Sequence, residues 1–180
     1  MKTFILLLLI TFFGKEINSQ IVYNFKASDN LNDWYIVDDR VMGGLSRGNI
    51  KLGKSGNAIY YGDVTTENNS GFSSLRYQFN SKNVSNYSKV SIKLKGDGTS
   101  YQFRIKSDRR QRYSYVSTFN TSGDWETITI PFNNFVPQFR GYKVNVPNYD
   151  GKMMEEIAFL IGNKTNEKFQ LEIESIVLIK

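Results

Sequence analysis

Val90-Ser91-Ile92-Lys93-Leu94-Lys95, the turn residues Gly96-Asp97-Gly98, and Tyr101-Gln102-Phe103-Arg104-Ile105-Lys106 decide the fold class of this chain. Successive side chains of an extended strand point to opposite faces, so Val90, Ile92 and Leu94 share one face and Ser91, Lys93 and Lys95 the other. Tyr101, Phe103 and Ile105 alternate in the same way with Gln102, Arg104 and Lys106. The pattern predicts two strands, each with one face on a core and one in water, joined by a hairpin turn at Gly96-Asp97-Gly98.

The same period of two recurs at Phe169, Leu171 and Ile173 against Gln170, Glu172 and Glu174. Further short runs rich in aromatic and β-branched residues predict strands over 21–25, 34–38, 48–52, 58–64, 72–79, 113–119, 125–130 and 157–161. Clusters of Gly, Asn, Asp and Ser separate them, at 53–56, 68–71 and 122–124. No window longer than about ten residues carries an amphipathic helical period. Roughly ten short strands at this spacing predict an all-β jelly-roll β-sandwich, with Ile92, Leu94, Phe103, Ile105, Leu171 and Ile173 in its core. No linker, repeat or low-complexity tract interrupts residues 21–180, which are expected to form one domain.

Residues 1–20 read differently. Lys2 precedes an apolar run over 4–13 broken only by Thr11, and Gly14-Lys15-Glu16 follows. This is the pattern of a secretory signal peptide, with cleavage expected near Ser19 or Gln20, although Ile17 suits a cleavage site poorly. The run is too short to span a bilayer. An exported chain, periplasmic or extracellular and without stable membrane insertion after processing, is therefore expected. The alternative is a membrane-associated or cytoplasmic chain.

The chain has no Cys and no His, which removes thiolate nucleophiles, disulfides, imidazole bases and the usual zinc ligands. An enzyme is not expected on those grounds. There is no G-x-G-x-x-G motif after a strand and no Walker A pattern, so no nucleotide cofactor is indicated. Gly96-Asp97-Gly98 lacks the repeated acidic spacing of an EF-hand loop, so no metal site is assigned. A net charge of +6 is spread along the sequence, which aids solubility but is no signature of nucleic-acid binding. Its densest basic and aromatic cluster is Arg104, Lys106, Arg109, Arg110 and Arg112 with Tyr101, Tyr113 and Tyr115. Such a cluster can stack on bases or sugars, but a solvated hairpin tip explains the same residues more simply. Asn-x-Ser/Thr sequons begin at Asn68, Asn83, Asn86, Asn120 and Asn163, near chance in so Asn-rich a chain.

The stretch Trp34-Tyr35-Ile36-Val37-Asp38-Asp39-Arg40-Val41-Met42-Gly43-Gly44-Leu45-Ser46 carries the candidate site. Two adjacent glycines mark a sharp bend, and the charged and hydroxyl residues around it form either a self-satisfied polar knot or a recognition loop. Carboxylates on neighbouring strand residues point to opposite faces, which argues against an Asp38–Asp39 catalytic pair. An Asp–Arg bridge pinning the bend is the expected local arrangement. Arg40, Met42 and Ser46 are the residues expected to reach a partner.

Taken with other blocks, this stretch resembles the complex I intermediate-associated protein 30 family. Trp34 with Asp38-Asp39-Arg40-Val41-Met42-Gly43-Gly44-Leu45-Ser46 is similar to its signature. Gly71-Phe72-Ser73-Ser74-Leu75-Arg76, Gly96-Asp97-Gly98 with Tyr101, Trp125 through Ile130-Pro131-Phe132 to Arg140-Gly141, and Ile157 through Ile161-Gly162-Asn163-Lys164 follow in the family's order. Ser70 stands where the family usually has a second glycine. The resemblance covers residues 22–178. It implies a galactose-binding-like β-sandwich, a protein partner, and a non-catalytic part in assembling NADH:ubiquinone oxidoreductase. An exported carbohydrate-binding module is the alternative. The residues the resemblance marks for partner binding or loop structuring are Trp34, Asp38, Asp39, Arg40, Met42, Gly43, Gly44, Ser46, Arg76, Asp97, Tyr101 and Arg140.

Overall fold

The computed structural model describes residues 19–69 and 71–180. Residues 1–18, which carry most of the signal-like segment, and Ser70 lie outside that description. Ser19 and Gln20, the expected cleavage point, stand in the first strand, paired with Ile179 and Leu178.

Thirteen strands follow in chain order among the described residues: β1 (Ser19–Asn24), β2 (Trp34–Asp38), β3 (Arg47–Leu52), β4 (Ala58–Val64), β5 (Ser73–Asn83), β6 (Lys89–Lys95), β7 (Ser100–Lys106), β8 (Ser114–Asn120), β9 (Trp125–Pro131), β10 (Val136–Phe139), β11 (Tyr142–Lys143), β12 (Met153–Ile161) and β13 (Glu167–Ile179). They form two antiparallel sheets. One runs β3-β4-β13-β6-β9, with β1 also on β13, and the other runs β11-β10-β8-β7-β12-β5-β2. The long strand β13 takes β4 along 167–173 and β1 along 175–179. Among the described residues the helical elements are short 3₁₀ turns.

The alternation places the core. Ile92, Leu94, Phe103, Ile105, Leu171 and Ile173 are all fully buried between the sheets, joined by Phe25, Tyr60, Leu75, Phe135, Phe159 and Ile176. Gln102, Arg104 and Lys106 stand on the opposite face of β7, as the period of two requires.

The turn at Gly96-Asp97-Gly98 is not a hairpin. β6 pairs with β13 and β9 in one sheet, whereas β7 pairs with β8 and β12 in the other, so this segment carries the chain between layers. Asp97 fixes the crossing: its Oδ2 accepts from the backbone N of Gln170 at 2.7 Å and from the Tyr101 hydroxyl at 3.0 Å. A short turn flanked by two alternating runs reads identically in both topologies, and long-range partners decide between them. The basic cluster does lie on a hairpin, because β7 and β8 pair directly around residues 107–113.

The sequence pattern misses β10 and β11. Pro137 removes a backbone donor from β10, and β11 has only two residues at the sheet edge. It also cuts β13 short. The register shifts between Ile173 and Ser175, so the inward side chains pass from Ile173 to Ile176 and the alternation loses phase.

The two layers approach closely where β3 passes the end of β5. A Cβ on Gly48 would stand 2.1 Å from Ser73 Oγ and 3.1 Å from Asp38 Oδ1. Gly48→Ala is therefore expected to lower the unfolding free energy by about 1–3 kcal/mol, read as a lower denaturant midpoint at unchanged slope.

Candidate functional site

Residues 38–46 leave β2, turn once and enter β3. Asp39–Met42 form a 3₁₀ turn, and Gly43 ends it at φ 88° and ψ 7°, a left-handed conformation that favours glycine. The N–H of Gly43 donates to Arg40 O and that of Gly44 to Asp39 O, both at 3.1 Å.

The two aspartates face different neighbours. Asp38 Oδ1 accepts from Ser73 Oγ at 2.6 Å, and its carboxylate takes the Gly48 N–H at 3.1–3.2 Å. It thus ties β2 and β5 of one sheet to β3 of the other. Asp39 is fully buried. Its Oδ1 accepts from Ser46 N at 3.1 Å. Its Oδ2 accepts from Ser46 Oγ at 2.5 Å, Gly71 N at 2.8 Å and Phe72 N at 3.1 Å. Ser46 Oγ in turn accepts from Thr65 N at 3.1 Å, and Asn68 Nδ2 donates to Gly43 O at 2.9 Å. Burial pushes the Asp39 carboxyl upward, but the bonds donated by the Ser46 hydroxyl and by the Phe72, Ser46 and Gly71 N–H groups outweigh it and hold the pKa below its ordinary value.

This is a polar knot, with one correction. The expected Asp–Arg bridge is absent among the described residues: Arg40 is exposed, and the acceptor capacity of Asp39 is taken by N–H and O–H donors. A buried carboxylate in a tight bend meets several backbone donors at once, and a long guanidinium stem gains nothing by folding into so small a space. Ser46 is fully buried, so it does not reach a partner. Met42 and Leu45, by contrast, are 51% and 52% exposed. Leu45 and Ser73, though inside the quoted blocks, and Gly48 were not among the expected site residues. The first is an apolar residue beside a Gly-Gly bend, which is a legible sign of display, whereas the other two act through contacts far apart in sequence.

The remaining expected site residues are dispersed. Trp34 is 5% exposed and packs in an aromatic cluster with Tyr23, Phe25 and Tyr77 at ring separations of 5.1–5.2 Å. Tyr101 is 1% exposed and belongs to the core, its hydroxyl on Asp97. Arg140, at φ 50°, is exposed, with its guanidinium carbon 5.4 Å from the Phe139 ring centre. Arg76 lies on the outer face of the seven-stranded sheet, 3.5 Å from Glu156.

Two stacked antiparallel sheets with their connecting loops at the ends define a β-sandwich. The family 11 module of the cellulosomal cellulase Lic26A-Cel5E of Clostridium thermocellum is similar over 91% of this chain and 95% of that one, at TM-score 0.63 and 22% identity. That likeness is one of fold. A family model described as complex I intermediate-associated protein 30 matches residues 23–173. The chain belongs to the complex I intermediate-associated protein 30 family. Its relatives include the mouse complex I intermediate-associated protein 30, mitochondrial, 24% identical over 88% of this chain and 55% of that protein. A Drosophila melanogaster relative of the same name is 23% identical over 68% of this chain and 49% of that protein. The chain spans about half the length of these relatives.

These relatives overturn the expectation of export, because they are named as mitochondrial. A short apolar run behind one lysine measures hydrophobicity, and hydrophobicity alone does not specify which membrane system reads the segment. Among the described residues no helix is long and apolar enough to cross a membrane.

Proposed function

We propose that the chain is a non-catalytic protein-binding module that holds intermediates of NADH:ubiquinone oxidoreductase during their assembly, in mitochondria. Family membership and the names of the relatives support the class of partner. The observation that carries the reading is the division of labour in residues 38–46. Asp38, Asp39 and Ser46 are consumed in hydrogen bonds, while Met42 and Leu45 project outward beside exposed Arg40. Apolar anchors on a loop already fixed by buried bonds lose little conformational entropy on docking.

The tagged chain is expected to co-purify with NADH:ubiquinone oxidoreductase intermediates from its own cells. A variant carrying Met42→Asp and Leu45→Asp should lose them while its stability stays within about 0.5 kcal/mol of the parent. Capture of no such intermediate by the parent chain overturns the reading. A sugar-binding reading is less well supported. Among the described residues the exposed aromatics Tyr35, Trp125 and Tyr142 stand on β2, β9 and β11, at three different sheet edges, so they make no shared platform of the kind that holds sugars. Binding to soluble polysaccharides in a glycan array would restore it.

A further inference from the structure

Arg76, Ala158 and Arg104 stand in register across β5, β12 and β7, with Tyr35 beyond Arg76 and Val116 beyond Arg104. They face away from the core, since their strand neighbours Trp34, Ile157 and Ile105 are buried against the other sheet. Adjacent strands lie about 4.8 Å apart, so the backbones that carry the two arginines are roughly 10 Å apart, one on either side of β12. Ala158, Leu160 and Glu156 between them are 2%, 6% and 2% exposed, so the strip along β12 is closed. What this face offers a partner is the two partly exposed arginine side chains, Arg76 with Nε on Ser74 Oγ at 3.3 Å and Arg104 bonded to Gln102.

The charges on this face do not balance. Glu156 is 2% exposed, and both of its oxygens are engaged. Oε1 lies 3.5 Å from Arg76 Nη1, and Oε2 accepts from Gln78 Nε2 at 2.6 Å with the Tyr35 hydroxyl at 3.5 Å. Arg104 is partly buried and donates Nε and Nη2 to Gln102 Oε1 at 3.0 and 2.6 Å. Among the described residues no carboxylate lies within ion-pair distance of it. Burial, then the positive charge of Arg76, pulls its pKa down to about 10, with Glu156 acting in the opposite direction, so the guanidinium stays charged at neutral pH. A cation withdrawn from water beside a second cation, with only a neutral amide as partner, is an incomplete arrangement. Lys106, Arg109 and Arg112 continue the positive charge to the end of the β7–β8 hairpin.

We infer that the outer-face pair Arg76 and Arg104 receives an aspartate or glutamate side chain from an extended acidic segment of the partner polypeptide. The inference rests on the reading of the chain as a protein-binding module and supplies the partner's chemistry. A carboxylate matches the planar fork of a guanidinium. Glu156 already sets one negative charge against the two arginines, which leaves room for one more and disfavours a doubly charged phosphate.

The test titrates the full chain with a short synthetic peptide of alternating Glu and Ala, followed by backbone amide shifts. The peptide is expected to move the amides of Arg76, Arg104 and Ala158. Arg104→Gln should weaken it about tenfold or more, with the melting temperature unchanged or raised. Arg104→Lys, which keeps the charge and loses the fork, should fall between, and Arg110→Gln, whose residue pairs with Asp108 on the exposed hairpin tip, should change affinity less than about twofold. Equal affinity in Arg104→Gln, no shift at these amides, or equally tight binding of inorganic phosphate at the same residues would each overturn the inference. A lowered melting temperature in both Arg104 variants would instead mark the arginine as structural and also overturn it. If the parent chain captures oxidoreductase intermediates and Arg104→Gln captures them equally well, the arginine-pair inference fails and the protein-binding reading stands. If the parent captures none, the reading itself fails.

Discussion

Truncating Phe103 to Ala is expected to lower the unfolding free energy by about 3–5 kcal/mol. Phe103 is fully buried on β7, with the Phe159 ring 5.1 Å away at 67° and the Phe135 ring 6.2 Å away at 66°. These edge-to-face contacts join β7, β12 and the segment leading into β10, so the cavity opens where three parts of the sheet meet. Close-packed neighbours relax only partly into such a gap, and the loss of ring contacts adds to the transfer cost. Phe103→Leu should recover part of the loss. Equilibrium denaturation with an unchanged slope checks the prediction, and a loss under about 1 kcal/mol would show that the site collapses freely.

Asp39→Ala is expected to cost about 2–4 kcal/mol. The carboxylate is the acceptor for the N–H groups of Ser46, Gly71 and Phe72 and for the Ser46 hydroxyl, and alanine leaves these donors without a partner. The effect carries a pH signature. The folded-state pKa of Asp39 lies below its ordinary value of 3.8, so the carboxylate's contribution is complete above that pH and is lost as the pH falls through the folded value. Stability of the parent chain should therefore rise with pH across that acid window. Asp39→Asn should be less stable at neutral pH and show a flatter acid limb. Parallel curves for parent and variant would mean that the carboxylate is not the source of the loop's stability.

The fold was legible wherever the chemistry is local. Period-two runs at β6, β7 and β13 expose which residues are buried, because a strand's alternation is written into consecutive positions. Sheet membership was not legible. Gly96-Asp97-Gly98 looks like any short turn, and it is an inter-sheet crossing because β6 pairs with β13 and β9 while β7 pairs with β8 and β12; the N–H that Gln170 donates to Asp97 comes from 73 residues away. The candidate site divides the same way. That residues 38–46 bend and satisfy themselves follows from Gly43-Gly44 and the surrounding polar groups. Which donors satisfy Asp39 does not, since Gly71 and Phe72 lie more than thirty residues further along. The outer-face arginine pair was hidden for a related reason. Glu156 and Ala158 share a face with Arg76 and Arg104 only after three strands are placed side by side.

The central claim is that the family's signature loop spends its polar residues on the fold and offers Met42 and Leu45 to a partner. A photo-crosslinking amino acid placed at position 42, with a second variant labelled at Trp125 on the other sheet, tests it most directly. Trp125 is 42% exposed and Met42 51%, so both positions are open to a neighbour. The account predicts that irradiation of the tagged chain in its own cells yields a discrete adduct with the proposed partner from position 42 and none from position 125. Equal adducts from both positions, or none from position 42 while the partner still co-purifies, would contradict it.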